Sequence, residues 1–156
     1  MTIEVDGIDH IYLAVSDMAR SESFYDRLMS SLNFRKSKGP LATGDVHIHY
    51  FNQVTQLSLR PSKTKITHNP SAPGLHHLCL RVPDSVSVDS VYARISNLGL
   101  QPSQPQVYPE YAQDYYAIDL TDPDGIRIEI TNHRKERKDI VQRWSEYEEI
   151  MVQNED

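Results

Sequence analysis

Apolar and polar residues alternate along several short stretches of the chain, and the alternation sorts them into faces. Ile11, Leu13 and Val15 fall on one side of the first stretch, with His10 and Tyr12 on the other. Residues 77 to 82 repeat the arrangement, setting Leu78, Leu80 and Val82 against His77, Cys79 and Arg81. Both stretches predict strands with one buried face. After the first, Met18, Phe24, Tyr25, Leu28, Met29 and Leu32 recur near the helical period, with Ser16 or Asp17 placed as N-cap. After the second, Val88, Val91, Tyr92, Ile95 and Leu98 do the same, and Gly99 closes the helix. Further strands follow each helix. "DVHIHYFN" and "VTQLSLRP" alternate about a short turn at Asn52 and Gln53, a hairpin signal. "DYYAIDL" and "GIRIEITN" flank "TDPDG", a turn made of the residues that turns prefer. Residues 35 to 45 and 101 to 114 are less regular and are expected to arch over a cleft.

The two halves of this pattern are copies. "GIDHIYLAV" at residue 7 and "GLHHLCLRV" at residue 74 align without a gap, matching Gly7 with Gly74, His10 with His77 and Asp17 with Asp84. The match runs on into the helices, where Ser23, Tyr25 and Arg27 fall over Ser90, Tyr92 and Arg94. The expected organisation is a first strand-helix-strands module over residues 1–60, a polar, proline-punctuated linker over 61–73, a second module over 74–131 and a helical extension over 132–156. In that extension Ile140, Val141, Trp144, Tyr147, Ile150 and Met151 lie on one helical stripe. This predicts a C-terminal helix packed by Trp144, either on its own domain or on a second subunit.

Composition narrows the function. With 156 residues, 38% of them hydrophobic, the chain suits one globular domain or two small halves sharing a core. A net charge of -6 argues against nucleic-acid and anionic-membrane partners, and "HRKERK" at 133 to 138 reads as a solvated helical face. No apolar run reaches the roughly 18 residues that span a bilayer, and the N-terminus lacks the form of a signal peptide, so a soluble, cytoplasmic protein is expected. Cys79 has no intrachain partner and reads as a packing residue.

A strand-helix-strands unit covers one sheet face with its helix and leaves the other bare. The helix-side positions, including Leu57, Leu59, Ile126, Ile128 and Ile130, form an apolar core. The bare faces carry His10, Tyr12, Gln56, Ser58, Arg60, His77, Cys79, Arg81, Tyr115, Asp119, Arg127 and Glu129, joined by His47 and His49 if Val46, Ile48 and Tyr50 are core. So many polar groups imply a ligand, a metal or water. His10 and His77 open the first strand of each module, while Gln56 and Glu129 stand on the last strand of each. Two imidazoles and a carboxylate, with an amide as possible fourth donor, suit a divalent metal with open positions. Zinc is the first expectation, with nickel, manganese, iron or cobalt as alternatives. His76 is expected to point to the other face.

"DHIYLAVSDMARSESFYDRL", "HHLCLRV" and "DPDGIRIEI" together resemble the vicinal oxygen chelate superfamily, the group of glyoxalase I, fosfomycin-modifying enzymes, extradiol dioxygenases and bleomycin-sequestering proteins. The resemblance covers about residues 5 to 131 and implies an α+β fold of paired βαβββ modules forming a U-shaped, incomplete barrel around a metal. Carried over residue by residue, it makes His10, His77 and Glu129 ligands, with Gln56 where glyoxalase I has a glutamate. The extradiol pattern is incomplete, since Asp119 takes the place of its tyrosine and "PEYAQ" has no histidine. A threonine of the fosfomycin enzymes is replaced by Tyr12. Bleomycin-binding relatives usually lack the metal set kept here.

What the resemblance implies is a metal-dependent lyase or isomerase of the glyoxalase type, with a substrate that chelates the metal through two adjacent oxygens. Glu129 would be ligand and base, and the metal a Lewis acid. A binding protein that sequesters a small molecule is the competing class, and an extradiol dioxygenase the third. Arg81 and Arg127, with Tyr115, are expected to clamp a small anionic substrate, and His47, His49 and Asp119 to line its site, unless the arginines merely pair with Asp119 or Asp84. The modules are expected to pair within one chain or across a homodimer.

Overall fold

In the computed structural model, residues 3, 5, 7–42 and 44–143 are described. Strand β1 (His10–Val15) leads into helix α1 (Met18–Ser31), then β2 (Arg35–Pro40), β3 (Val46–Phe51) and β4 (Gln56–Pro61). The second module repeats this as β5 (His77–Val82), α2 (Ser85–Asn97), β6 (Gln106–Val107), β7 (Tyr116–Thr121) and β8 (Arg127–Asn132), and α3 (Lys135–Gln142) follows. The α+β, paired βαβββ architecture is therefore as expected, with two four-stranded mixed sheets among the described residues, ordered β1-β4-β3-β2 and β5-β8-β7-β6, that do not close into a barrel there. Each first strand runs parallel to the last strand of its module and lies at a sheet edge.

The helices begin where the sequence caps them. Asp17 accepts from the backbone N–H of Arg20 at 3.0 Å, and the equivalent Asp84 accepts from Ser87 at 2.8 Å. Gly99, at a φ of 79°, adopts the left-handed conformation that ends α2. The core gathers the predicted faces: Leu13, Val15, Leu57, Leu59, Leu78, Ile126, Ile128 and Ile130 are buried, with Phe24, Tyr25, Leu28 and Met29 of α1 and Val88, Val91 and Ile95 of α2.

Three local expectations are corrected. Residues 35–40 form an edge strand rather than an arch, because they pair antiparallel with β3, and Lys36 and Lys38 reach Glu22 and Asp26 of α1 with N–O distances of 2.6 to 2.8 Å. The hairpin turn spans residues 52 to 55, since the Asn52 side chain accepts from the N–H groups of Val54 and Thr55 and so shortens β4. Cys79 is exposed and packs in no core. The predicted C-terminal helix is described only over Lys135–Gln142, and Trp144, Tyr147, Ile150 and Met151 lie outside the described residues. Among the described residues no helix is long and apolar enough to cross a membrane.

The modules meet through helices and turns. α1 packs on α2, and the two exchange caps: Arg27 donates to the Leu98 carbonyl and Arg94 to the Ser31 carbonyl, each at 3.2 Å. Both pairs of residues match across the repeat, so a local two-fold relates the modules. Beside it, the buried Tyr25 hydroxyl donates to Asp122 at 2.9 Å, and Ser16 and Arg20 bind Asp124.

Candidate metal and ligand site

Sheet register decides which positions of the two modules correspond. His10 lies beside Gln56 and Tyr12 beside Ser58, while His77 lies beside Arg127 and Cys79 beside Glu129. The antiparallel partners agree, since His49 faces Ser58 and Asp119 faces Glu129. The residue equivalent to Glu129 is therefore Ser58, and the equivalent of Gln56 is Arg127. Pairing Gln56 with Glu129, as the sequence resemblance does, is two residues out of register.

The second module holds the acidic half of the site. Nε2 of His77 is 3.6 Å from Oε2 of Glu129, whose side chain is 5% exposed. Two ligands bound to one ion at about 2.1 Å with a tetrahedral angle stand roughly 3.4 Å apart, so this pair fits a divalent metal. Glu129 is oriented from both sides: Tyr115 donates its hydroxyl to Oε1, and Arg127 donates Nη2–H to Oε2 at 3.1 Å. Burial and then the Glu129 contact hold the Tyr115 phenol well above its ordinary value, so it remains a donor. Desolvation of its sulfur and then the Glu129 carboxylate push the Cys79 thiol up to about 12.

Arg127 also donates Nε–H to Asp119 at 2.7 Å. Burial works against its charge, but the Asp119 and Glu129 carboxylates outweigh this and raise it above the usual guanidinium value. The proposed anion clamp thus finds its arginine neutralised by two carboxylates. Arg81 is exposed farther along β5. Tyr115 belongs to an aromatic group with Tyr108 and Tyr111, ring centroids 5.3 to 6.2 Å apart, and the Arg134 guanidinium stacks 4.9 Å from its ring.

The first module presents His10, Tyr12, His47, His49, Gln56 and Ser58. Tyr12 touches three imidazoles edge-on, at centroid distances of 5.6 Å to His10, 5.6 Å to His47 and 6.1 Å to His49. Nδ1 of His10 is 2.7 Å from the Asp9 carboxylate, a contact that leaves Nε2 as the ring's lone pair for a ligand bond. The matching residue in the second module is His76, whose Nδ1 is 2.7 Å from Nδ1 of His77. His76 therefore supports His77 instead of turning away. The residue before each histidine is the signal that sequence reading missed, because the repeat sets Asp9 over His76.

His10 and the His77–Glu129 pair belong to different sheets, and among the described residues no group of three His, Cys, Asp or Glu side chains gathers around one point. One chain thus carries the ligand candidates as two separate halves.

Comparison with known proteins supplies the class. The family model described as Glyoxalase/Bleomycin resistance protein/Dioxygenase superfamily matches residues 7–130, and the chain belongs to that superfamily. Virulence protein STM3117 of Salmonella typhimurium strain LT2 is 27% identical over 132 residues, covering 83% of this chain and 85% of that protein. Among solved structures, a glyoxylase/bleomycin resistance protein/dioxygenase domain from Frankia sp. EAN1pec superposes with a TM-score of 0.67 at 21% identity, over 84% of this chain and 100% of that one. Lactoylglutathione lyase from Agrobacterium tumefaciens gives 0.59 at 18% identity, covering 82% and 94% of the two chains. FosX of Listeria monocytogenes, a fosfomycin resistance protein crystallised with Mn(II) and sulfate, gives 0.59 at 16%, covering 86% and 98%.

Proposed function

We propose that the chain is a metal-dependent enzyme of the glyoxalase type, a lyase or isomerase acting on a small molecule that offers two adjacent oxygens. The observation that carries this reading is the His77–Glu129 pair at ligand separation, with its carboxylate held by Tyr115 and Arg127. Family membership supports the same class. His77, Glu129 and His10 would hold the ion, and nitrogen and oxygen donors suit zinc first, with nickel, manganese, iron or cobalt also accepted. When bound, the ion would polarise a substrate oxygen.

The chain's own groups supply proton handling and orientation. Glu129 has one oxygen toward Tyr115 and the other toward Arg127 and His77, so a small shift of the carboxylate lets it take a proton while Tyr115 keeps its position. Arg127 orients Glu129 and Asp119 rather than meeting the substrate directly. Since His10 is not gathered with His77 and Glu129, we place its contribution across a homodimer, with the first module of one copy facing the second module of another.

Metal analysis of the purified protein tests the assignment: wild type should hold about one divalent ion per site and His77→Ala none. Stoichiometric metal in that variant would overturn it. Turnover measured beside calorimetric binding, on α-oxo-thiohemiacetals and vicinal diols, separates an enzyme from a sequestering protein.

A further inference from the structure

The first module holds a second triad at the positions matching Arg127, Glu129 and Asp119. Gln56 donates Nε2–H to Ser58 Oγ at 2.8 Å and lies 3.4 Å from Nδ1 of His49, and Ser58 Oγ is 2.9 Å from the same Nδ1. Arg127 reaches Glu129 and Asp119 at the corresponding places, so in both modules one side chain lies between the same two positions. Ser58 Oγ accepts from the Gln56 amide and keeps its own proton to give. With the Gln56 Nε2–H and the Ser58 hydroxyl both beside Nδ1 of His49, the arrangement that pairs every donor makes Nδ1 the acceptor and puts the proton of a neutral His49 on Nε2. Two residues along β3, the His47 ring centroid lies 6.1 Å from that of His49, His47 is only 4% exposed, and among the described residues neither of its ring nitrogens has a hydrogen-bond partner. A buried imidazole without partners carries a hydrogen-bonding demand that a ligand oxygen would meet.

We propose that His47 and His49 form an oxygen-recognition subsite for a carboxylate or carbonyl group of the ligand, with Gln56 acting through Ser58 to fix His49 as an Nε2–H donor. Gln56 and Ser58 are positioning residues in this arrangement. Recognition of an anionic end thereby moves from the neutralised Arg127 to the opposite module. The inference rests on the functional reading above only in taking the polar sheet face as the side that meets the ligand.

The test uses metal-free protein, so its failure and that of the metal assignment are separable. Long-range proton–nitrogen correlation spectra of the histidine rings, recorded at about pH 8, where an ordinary imidazole is neutral, read the tautomer directly. Wild type should show His49 in the Nε2–H form. Gln56→Glu reverses the order of donors, because the new carboxylate takes the Ser58 proton and Ser58 must then accept from His49, so Nδ1–H should appear. Ser58→Ala, which keeps Gln56, should give a mixture of both forms. Acetate titrated into wild type should shift the His47 and His49 rings saturably, at least tenfold more weakly in Gln56→Glu, with His77 unaffected. An Nδ1–H tautomer in wild type, or acetate that shifts neither ring, would overturn the proposal.

Discussion

Both modules place a donor beside the opening histidine, its acceptor two residues further on, and a third polar group on the neighbouring antiparallel strand. In the first module the three are Gln56, Ser58 and His49, and in the second they are Arg127, Glu129 and Asp119. The geometry is shared, whereas the charge is not. A duplicated backbone has been given one neutral triad and one ionised triad, and only the ionised one offers a carboxylate to a metal. The difference lies in charge: the second module sets an arginine between two carboxylates, and the first sets an amide beside a hydroxyl and an imidazole.

The largest effect that can break this comparison concerns metal content. Glu129→Ala should abolish binding, while Gln56→Leu and Ser58→Ala should leave stoichiometry unchanged in elemental analysis. Loss of metal in Gln56→Leu would restore the amide as a ligand and undo the register argument.

Stability should separate the triads next. Arg127→Met leaves the carboxylate of Glu129, 5% exposed, without its charged donor, and is expected to destabilise by about 2 to 3 kcal/mol. Gln56→Leu removes only neutral hydrogen bonds and should lose about 1 kcal/mol. Urea unfolding of both variants checks the order, and equal losses would mean that charge adds nothing at this position.

The pH dependence has opposite signs at two other acids. Hydrogen bonds from Lys36 and Lys38 hold the Glu22 carboxyl below its ordinary 4.5, so its contribution is complete above that value and is lost as pH falls through the lowered one. Burial raises Asp122 above its ordinary 3.8, with hydrogen bonds from Ile126 and Tyr25 opposing this. Its contribution is therefore most favourable below 3.8 and declines as pH rises through the raised value. Thermal unfolding across the acid range should flatten on the acid side in Glu22→Gln, while Asp122→Asn should remove the decline.

The smallest effects test the symmetry itself. Arg27→Ala and Arg94→Ala each remove one reciprocal cap and should each lower stability by about 0.5 to 1 kcal/mol. A clear inequality in denaturant unfolding would show that the two helix ends are not equivalent.

Much of this organisation is legible in the sequence because it rests on local chemistry. Asp17 and Asp84 cap their helices, and the alternation from Ile11 to Val15 and from Ile126 to Ile130 assigns the faces. The repeat spanning His10 and His77 identifies the modules. β2 was not legible, because "RKSKGP" has no apolar alternation and is held by ion pairs reaching back to Glu22 and Asp26. The mismatch of Gln56 with Glu129 could not be seen either, since both lie on strands whose pairing offset differs from the spacing along the chain. The neutralisation of Arg127 depends on Asp119 across a hairpin, a contact that strand alternation permits but does not require. That His10 stands apart from His77 and Glu129 depends on how two sheets join, which no local pattern encodes.

The claim that the ion is held between copies is tested most directly by mixing two defective variants. His10→Ala and His77→Ala, each purified without metal, are unfolded together, refolded and compared with the separately refolded proteins by elemental analysis. If each site draws His10 from one chain and His77 with Glu129 from another, random pairing makes half of the dimers mixed, and one site in each mixed dimer is intact. About a quarter of the sites should then regain metal. If all three ligands belong to one chain, mixing restores none, and a metal content no higher than that of the separate variants would contradict the account.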